Sequence, residues 1–400
     1  MNGIIKLKFK LIYIRGIYMK GFKNVQIYVE GKGIITTSLG FDNGVISFIG
    51  DGEITEAIEL PANAVVLPGF IDQHIHGSAT ADAMDGSIEA ITTIANSVAC
   101  EGTTSFLATT MTQSVENISK ALKAVGDYKK LNSTTGAEVL GVHLEGPYIN
   151  SSKAGAQPAE YIVKPTIEEF EKYNNLSGNS IKIVTLAPEI EGSTEFIEYL
   201  AKNSINPSIG HSSAKYEQVA NATAHGAKQV THTYNAQSAF THREIGVAGS
   251  ALLIDDLACE IICDTIHVSV PAIKTLIKNK PHDKVILITD AMRAKNLGDT
   301  VSELGGQTVY VKNGEARLAD GTLAGSVLKL NDAVKNVVTH CGVSLTDACD
   351  FASANPAKNL GVYDTMGSIK VGKKANFAVL DKDNFNVLLT IRDGNVIYKA

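Results

Sequence analysis

Leu67-Pro68-Gly69-Phe70-Ile71-Asp72-Gln73-His74-Ile75-His76-Gly77 is the stretch on which the reading of this chain turns. An apolar run enters it, a glycine leaves it, and two histidines stand two residues apart between them. On a strand that spacing sends both imidazoles to one face. Two imidazoles converging at a strand end make half of a metal site. A hydrogen-bonded histidine pair in a turn is the plainer alternative, and the stretch alone does not choose between them.

Working outward, residues 67–360 alternate apolar strand, polar loop and helix. Eight strand segments are expected at 65–75, 104–109, 138–144, 182–186, 206–209, 229–233, 259–263 and 284–289. Between them, 87–101, 114–130, 166–173, 193–203, 215–225 and 270–279 repeat apolar residues at three- and four-residue spacing, the helical period. Eight strand–helix units over this length predict a (β/α)8 TIM barrel rather than an open sheet. Segments 332–340 and 345–353 read as closing helices. Short β-type segments lie on both sides of this region. Asn43-Gly44 marks a hairpin near one end, and Asp393-Gly394-Asn395 a turn near the other. Residues 19–66 plus 361–400 are therefore expected to build a small β-sandwich domain from both termini.

Of the 400 residues, 44% are hydrophobic and 20% charged, ample material for a large core. The net charge of −6 argues against nucleic acid or an anionic membrane as partner. Five cysteines without CxxC spacing read as reduced thiols of a cytoplasmic protein. Lys6, Lys8, Lys10 and Arg15 interrupt the apolar start, so no signal peptide is expected. Met19 precedes the first clean strand pattern, and residues 1–18 are read as an extension outside the fold.

In such a barrel chemistry sits where the strands end. Strand one ends in His74 and His76, strand three in His143-Leu144-Glu145, strand five in His211 and strand six in His232. Strand seven leads to Asp264 and His267, and strand eight ends in Asp290. Ligand-type residues collected at one end predict a catalytic metal site. His225, His340 and His282 take the bland reading of helix and surface residues. His143 is expected behind the ligands rather than among them, and His242 is open. Asp290 could also cap a helix beginning at Ala291.

At this point GVHLEGPYIN (141–150), KAGAQP (153–158), IGHSSA (209–214), VTHTYNAQ (230–237), REIGVAG (243–249), CDTIHV (263–268), ITDAM (288–292) and DGTLAGS (320–326) join the opening stretch. In this order the chain resembles the N-acetylglucosamine-6-phosphate deacetylase family of the amidohydrolase superfamily. The resemblance implies hydrolysis of an acetamido sugar phosphate to the amine and acetate. It implies that Glu145, His211 and His232 hold a main metal ion and that Asp290 moves the proton. Asn235, Ala236 and Arg243 would take the phosphate, with Arg243 reaching the neighbouring subunit of a homodimer. His267 would meet the sugar hydroxyls, Gln157 would orient the acyl group, and Ala156 and the loop Leu323, Ala324, Gly325 would wall the pocket; a plain turn is the other reading of that loop.

The family divides on metal count: members lacking the strand-one histidines carry a histidine where this chain has Gln157. With His74 and His76 present, two divalent ions per subunit are expected, of zinc, iron, manganese or cobalt type. A related amidohydrolase of the dihydroorotase or hydantoinase type would need a carboxylated lysine ending strand four. Lys182, the lysine of that strand, lies at its other end. A catalytically inert scaffold would have lost Asp290 or ligands, and neither is lost.

Overall fold

A computed structural model describes residues 19–400. The expected extension at 1–18 lies outside the described residues. Eight parallel strands form the barrel, in chain order: Phe70–Ile75, Thr103–Thr109, Glu138–Glu145, Ile181–Leu186, Asn206–Ile209, Gln229–Val230, Ala258–Ile262 and Val285–Ile288. Each pairs with its sequence neighbour, as short right-handed β–α–β connections require. The first and last strands are joined by side chain and turn. Thr289 Oγ1 donates to Asp72 Oδ2 at 2.6 Å, and the His76 amide to the Ala291 carbonyl at 2.9 Å.

The strand expected over 65–75 is two strands. Ala64–Pro68 runs in the sheet built from the chain ends, and Phe70–Ile75 in the barrel. Periodicity cannot register a change of sheet, because both halves are fully buried. The break falls at Gly69, whose amide donates to the Asn376 carbonyl of the C-terminal segment at 3.0 Å. A Cβ there would lie 2.3 Å from Thr104 Oγ1, so only glycine lets the barrel strand start this close to its neighbour.

The helices fall where the apolar period places them, with Ile88–Val98, Val115–Lys130, Ile167–Leu176, Ser193–Lys202, Tyr216–Ala224 and Val270–Asn279 between the strands. Ser87, Ser114 and Thr166 start three of them by accepting an amide hydrogen bond of the first turn. Leu330–Cys341 and Leu345–Ala352 close the barrel, followed by Ala354–Asn359. The elements beyond the expectation include the glycine-rich helix Gly246–Leu253, and a three-stranded antiparallel flap of Thr300–Leu304, Gln307–Lys312 and Glu315–Arg317. Leu304, Val309, Val311 and Ala316 of the flap pack on Met111, Met292 and Ala324. Gln307 Nε2 donates to the Ala156 carbonyl at 2.7 Å.

The chain ends form their own sheet, in the order Asn395–Lys399, Val387–Arg392, Phe377–Asp381, Ala64–Pro68, Lys20–Val29, Gly33–Asp42, Val45–Ile49. Phe22, Phe41 and Phe377 meet at its centre with ring centroids 5.5–6.0 Å apart, all fully buried. Each contributes about 1.5–3 kcal/mol by leaving water. All five cysteines are free, and no helix of the described residues is long and apolar enough to cross a membrane.

Candidate active site

Glu145, the last residue of barrel strand three, sits at the centre of the strand-end cluster with its side chain almost wholly buried. His211 Nε2 lies 3.2 Å and His232 Nε2 3.1 Å from its Oε1, and the two nitrogens are 3.1 Å apart. On the other side, His76 Nε2 is 3.2 Å from Glu145 Oε2 and 3.2 Å from Asp290 Oδ1. His74 Nε2 stands 3.5 Å from Glu145 Oε1 and 3.4 Å from Asp290 Oδ1. The strand ends thus bring all six expected side chains together. Asp290 heads no helix: its carbonyl accepts from the Ser326 amide at 2.8 Å, which excludes the cap reading.

Local backbone aims these groups. His211, His232 and Asp290 all adopt positive φ, at 47°, 28° and 49°, a conformation non-glycine residues avoid unless their surroundings impose it. Each turns the chain sharply off its strand, so the side chain points across the barrel mouth. His211 is also held by its Nδ1, 2.8 Å from the Lys153 carbonyl.

Two trios of ligand-type atoms share Glu145: His74, His76 and Glu145 on one side, and Glu145, His211 and His232 on the other. Their chemistry fits a divalent metal, for which imidazole nitrogen and carboxylate oxygen are usual donors. His74 Nε2 is buried with no hydrogen-bond partner, and Nε2 atoms at 3.1 Å in His211 and His232 crowd together without a shared group between them. The electrostatics agree. Burial alone would raise Asp290, yet His74 and His76 hold it down at about 2. Burial alone would lower His76, yet Asp290 and Glu145 carry it up to about 10. A site that keeps carboxylates ionised and draws protons onto imidazoles is one that a cation would occupy instead.

A cavity of about 320 Å³ opens over this cluster. His76, Glu145, His211, His232 and Asp290 form its floor, and Ala156, Gln157, Asn235, Ala236, His267, Leu323 and Gly325 its walls. His267 is fixed through Nδ1, 2.6 Å from Asp264 Oδ2. Gln157 accepts from the Thr112 amide at 2.7 Å and donates to Glu145 Oε2 at 2.8 Å, so it steadies Glu145 as well as facing the cavity. Ala324 is buried behind the wall, in the apolar cluster under the flap. Arg243 and His242 are exposed on the loop after Phe240 and do not line the cavity of their own chain. His143 stands behind the ligands, its nitrogens 3.2 Å from the Gln73 carbonyl and 2.7 Å from Thr185 Oγ1. Burial and the adjacent His74 push it down to about 3, so it stays neutral.

Sequence reasoning passed over Met111, Lys153 and Leu304, which also line the cavity. Lys153 lies within the KAGAQP motif, but nothing in its spacing places it beside the cavity. Glu260 was missed as well. It lies in the centre of strand Ala258–Ile262, and a single acidic residue in an otherwise apolar strand was the available signal.

Comparison with known proteins supports this geometry. The model of the Amidohydrolase family matches residues 65–397. An N-acetylglucosamine-6-phosphate deacetylase of Bacillus subtilis (strain 168) is 44% identical over 94% of this chain and 96% of its own length. An N-acetylgalactosamine-6-phosphate deacetylase of Escherichia coli O157:H7 is 36% identical over 83% of this chain and 89% of its own length. The crystal structure of an N-acetylglucosamine-6-phosphate deacetylase from Thermotoga maritima superposes with a TM-score of 0.86 at 36% identity, covering 94% of this chain and 99% of that one.

Proposed function

We propose, for a chain that belongs to the amidohydrolase family and within it to the N-acetylglucosamine-6-phosphate deacetylases, a hydrolysis that yields glucosamine 6-phosphate and acetate. The observation that carries it is Asp290, set beside His74 and His76 at the floor of the cavity, with one carboxylate oxygen on both imidazoles.

An amide carbonyl is a weak electrophile and an amine a poor leaving group, so hydrolysis needs an activated water, a polarised carbonyl and a proton for nitrogen. Glu145, His211 and His232 would hold a divalent cation, which would supply the Lewis acidity that acidifies water and polarises a carbonyl. Asp290 takes the proton as the water oxygen bonds to the acyl carbon. It then delivers that proton to the sugar nitrogen as the carbon–nitrogen bond breaks, leaving acetate and the free amine. Gln157 keeps Glu145 from rotating while this happens, through its 2.8 Å bond.

The finer assignments follow from the same reading. The site would hold two cations, with His74, His76 and Glu145 the residues for the second. Asn235 and Ala236 hold the phosphate, joined by Arg243 from the partner in a homodimer, which accounts for an arginine exposed in its own chain. His267 contacts the sugar hydroxyls. The enzyme works in the cytoplasm, in amino-sugar catabolism and cell-wall recycling.

An acetate-release assay on N-acetylglucosamine 6-phosphate, N-acetylgalactosamine 6-phosphate and unphosphorylated N-acetylglucosamine tests the reading, with metal analysis of the same sample. Preference for the first substrate supports it. Preference for the second transfers the assignment to the galactosamine reaction of the Escherichia coli relative. No acetate from any of the three overturns it.

A further inference from the structure

Glu260 is fully buried inside the barrel, and its carboxylate has four donors around it. Gln73 Nε2 donates to Oε1 at 2.7 Å and Gln229 Nε2 to the same oxygen at 2.8 Å. Oε2 lies 3.0 Å from His74 Nδ1 and accepts from the His232 amide at 3.3 Å. No lysine or arginine forms an ion pair with it among the described residues.

The two glutamines cannot turn their amides round freely. Asn359 Nδ2 donates to Gln73 Oε1 at 2.9 Å and to Gln229 Oε1 at 2.5 Å, and Asn206 Nδ2 donates to Gln229 Oε1 at 3.1 Å. With both carbonyl oxygens occupied from below, both amide NH₂ groups face upward onto Glu260 Oε1. Oε2 is left for His74. A carboxylate only accepts, so His74 Nδ1 must carry the hydrogen in this contact, and a neutral imidazole then has its lone pair on Nε2. That nitrogen lies between Glu145 and Asp290 and has no hydrogen-bond partner. By contrast, His76 Nδ1 and His232 Nδ1 are buried without any partner.

We infer that Glu260 is a positioning residue for the metal centre: clamped by Gln73 and Gln229, it holds His74 as an Nε2 ligand and thereby sets the affinity of the second cation. The inference rests on the two-cation reading above. Glu260 touches neither substrate nor the reacting atoms. Its effect passes through the tautomer, ring orientation and basicity of one imidazole.

Glu260→Gln keeps the shape and inverts the logic. Its one carbonyl oxygen is claimed by the two glutamine NH₂ groups, so its own NH₂ meets His74 Nδ1. His74 then carries its hydrogen on Nε2, where a metal needs the lone pair. Apoprotein is titrated with Zn²⁺ by equilibrium dialysis for wild type, Glu260→Gln, Glu260→Asp and His74→Ala, with circular dichroism as a check of folding. In Glu260→Gln the weaker ion is expected to bind roughly 10–100-fold less tightly, as for other carboxylates behind a ligating histidine, while the tighter ion is little changed. Glu260→Asp, which keeps the charge and the acceptor, is expected to recover part of the loss. Unchanged affinity for both ions in Glu260→Gln overturns the inference while leaving the two-cation reading intact. One ion in wild type, bound equally well by His74→Ala, overturns the two-cation reading itself. Should Glu260→Gln not fold, the loaded wild type decides: a slowly exchanging downfield imidazole N–H resonance, lost in His74→Ala, supports the tie, and its absence from wild type overturns it.

Discussion

The backbone amide of Asp290 donates to the carbonyl of His74 at 2.8 Å. The residue proposed to move the proton and one proposed to hold a cation are therefore joined through main chain at the seam where the barrel's last strand meets its first. Their separation does not depend on any flexible side chain.

Asp290→Asn should fold and bind metal, since an amide fits the same space and the main-chain bond remains. It cannot accept the water proton and return it to nitrogen. Turnover is expected to fall by at least roughly 10²–10⁴-fold, the usual contribution of a general acid–base group. Steady-state kinetics within a few-fold of wild type would remove Asp290 from the mechanism.

Arg243→Ala should raise KM for the phosphorylated sugar while leaving activity on the unphosphorylated one nearly unchanged. Loss of a charged hydrogen bond corresponds to about 1.5–3 kcal/mol, or roughly tenfold to a hundredfold. Equal losses on both substrates would assign Arg243 to the fold or the subunit contact.

Dialysis against a chelator should abolish activity, and divalent metal should restore it. Metal analysis of protein purified without chelator is expected to find two ions per chain in wild type, and one in His74→Ala and in His76→Ala. Full activity with one ion, and silent histidine variants, would defeat the second cation.

Gly69→Ala should destabilise the protein by about 1–3 kcal/mol, the usual result of forcing a methyl group into packed space. The added carbon would meet Thr104 Oγ1 at 2.3 Å and Cγ2 at 2.4 Å. Thermal unfolding measures the loss, and Thr104→Gly in the same chain should return part of it. An unchanged Tm in the single variant would show that the two strands can move apart.

Glu30 gives an acid-range prediction. Burial would raise its pKa, but the Ser368 hydroxyl and then Lys370 and Lys373 lower it from 4.5 to about 2. A depressed folded-state value means the stabilisation is complete above the unfolded pKa and fades as pH falls through the folded one. Glu30→Gln should therefore cost up to about 1 kcal/mol at pH 7, as for partly exposed ion pairs. The difference from wild type should shrink between pH 4.5 and 2. Denaturant unfolding at a series of pH values measures it, and a constant difference would contradict the assignment.

The barrel was legible because its strands are short apolar runs and its helices repeat at their own period. The site was legible because His74, His76, Glu145, His211, His232 and Asp290 all stand at the same end of those runs. Other features depend on relations that spacing does not encode. The flap at Thr300–Arg317 carries a hairpin signal at Asn313-Gly314, but that signal alone does not say that the strands fold back over the barrel mouth. Ala324 lies next to two cavity-wall residues, and only packing decides that its methyl turns to the apolar cluster. Glu260 announces a buried charge, but its partners come from residues 73, 74, 229 and 232, too far along the chain for local pattern to connect.

The left-handed turns at His211, His232 and Asp290 separate this molecule into two inheritances. Each of these residues stands two positions past the end of its strand, so its place is set by the barrel before the longer loops begin. The barrel carries the clustered histidines and carboxylates, and the loops and flap supply the cavity walls above them. A lineage built this way can reshape its cavity by altering segments such as 235–243 or 300–325, whereas 153–157, which ties His211 through the Lys153 carbonyl and Glu145 through Gln157, stays with the chemistry.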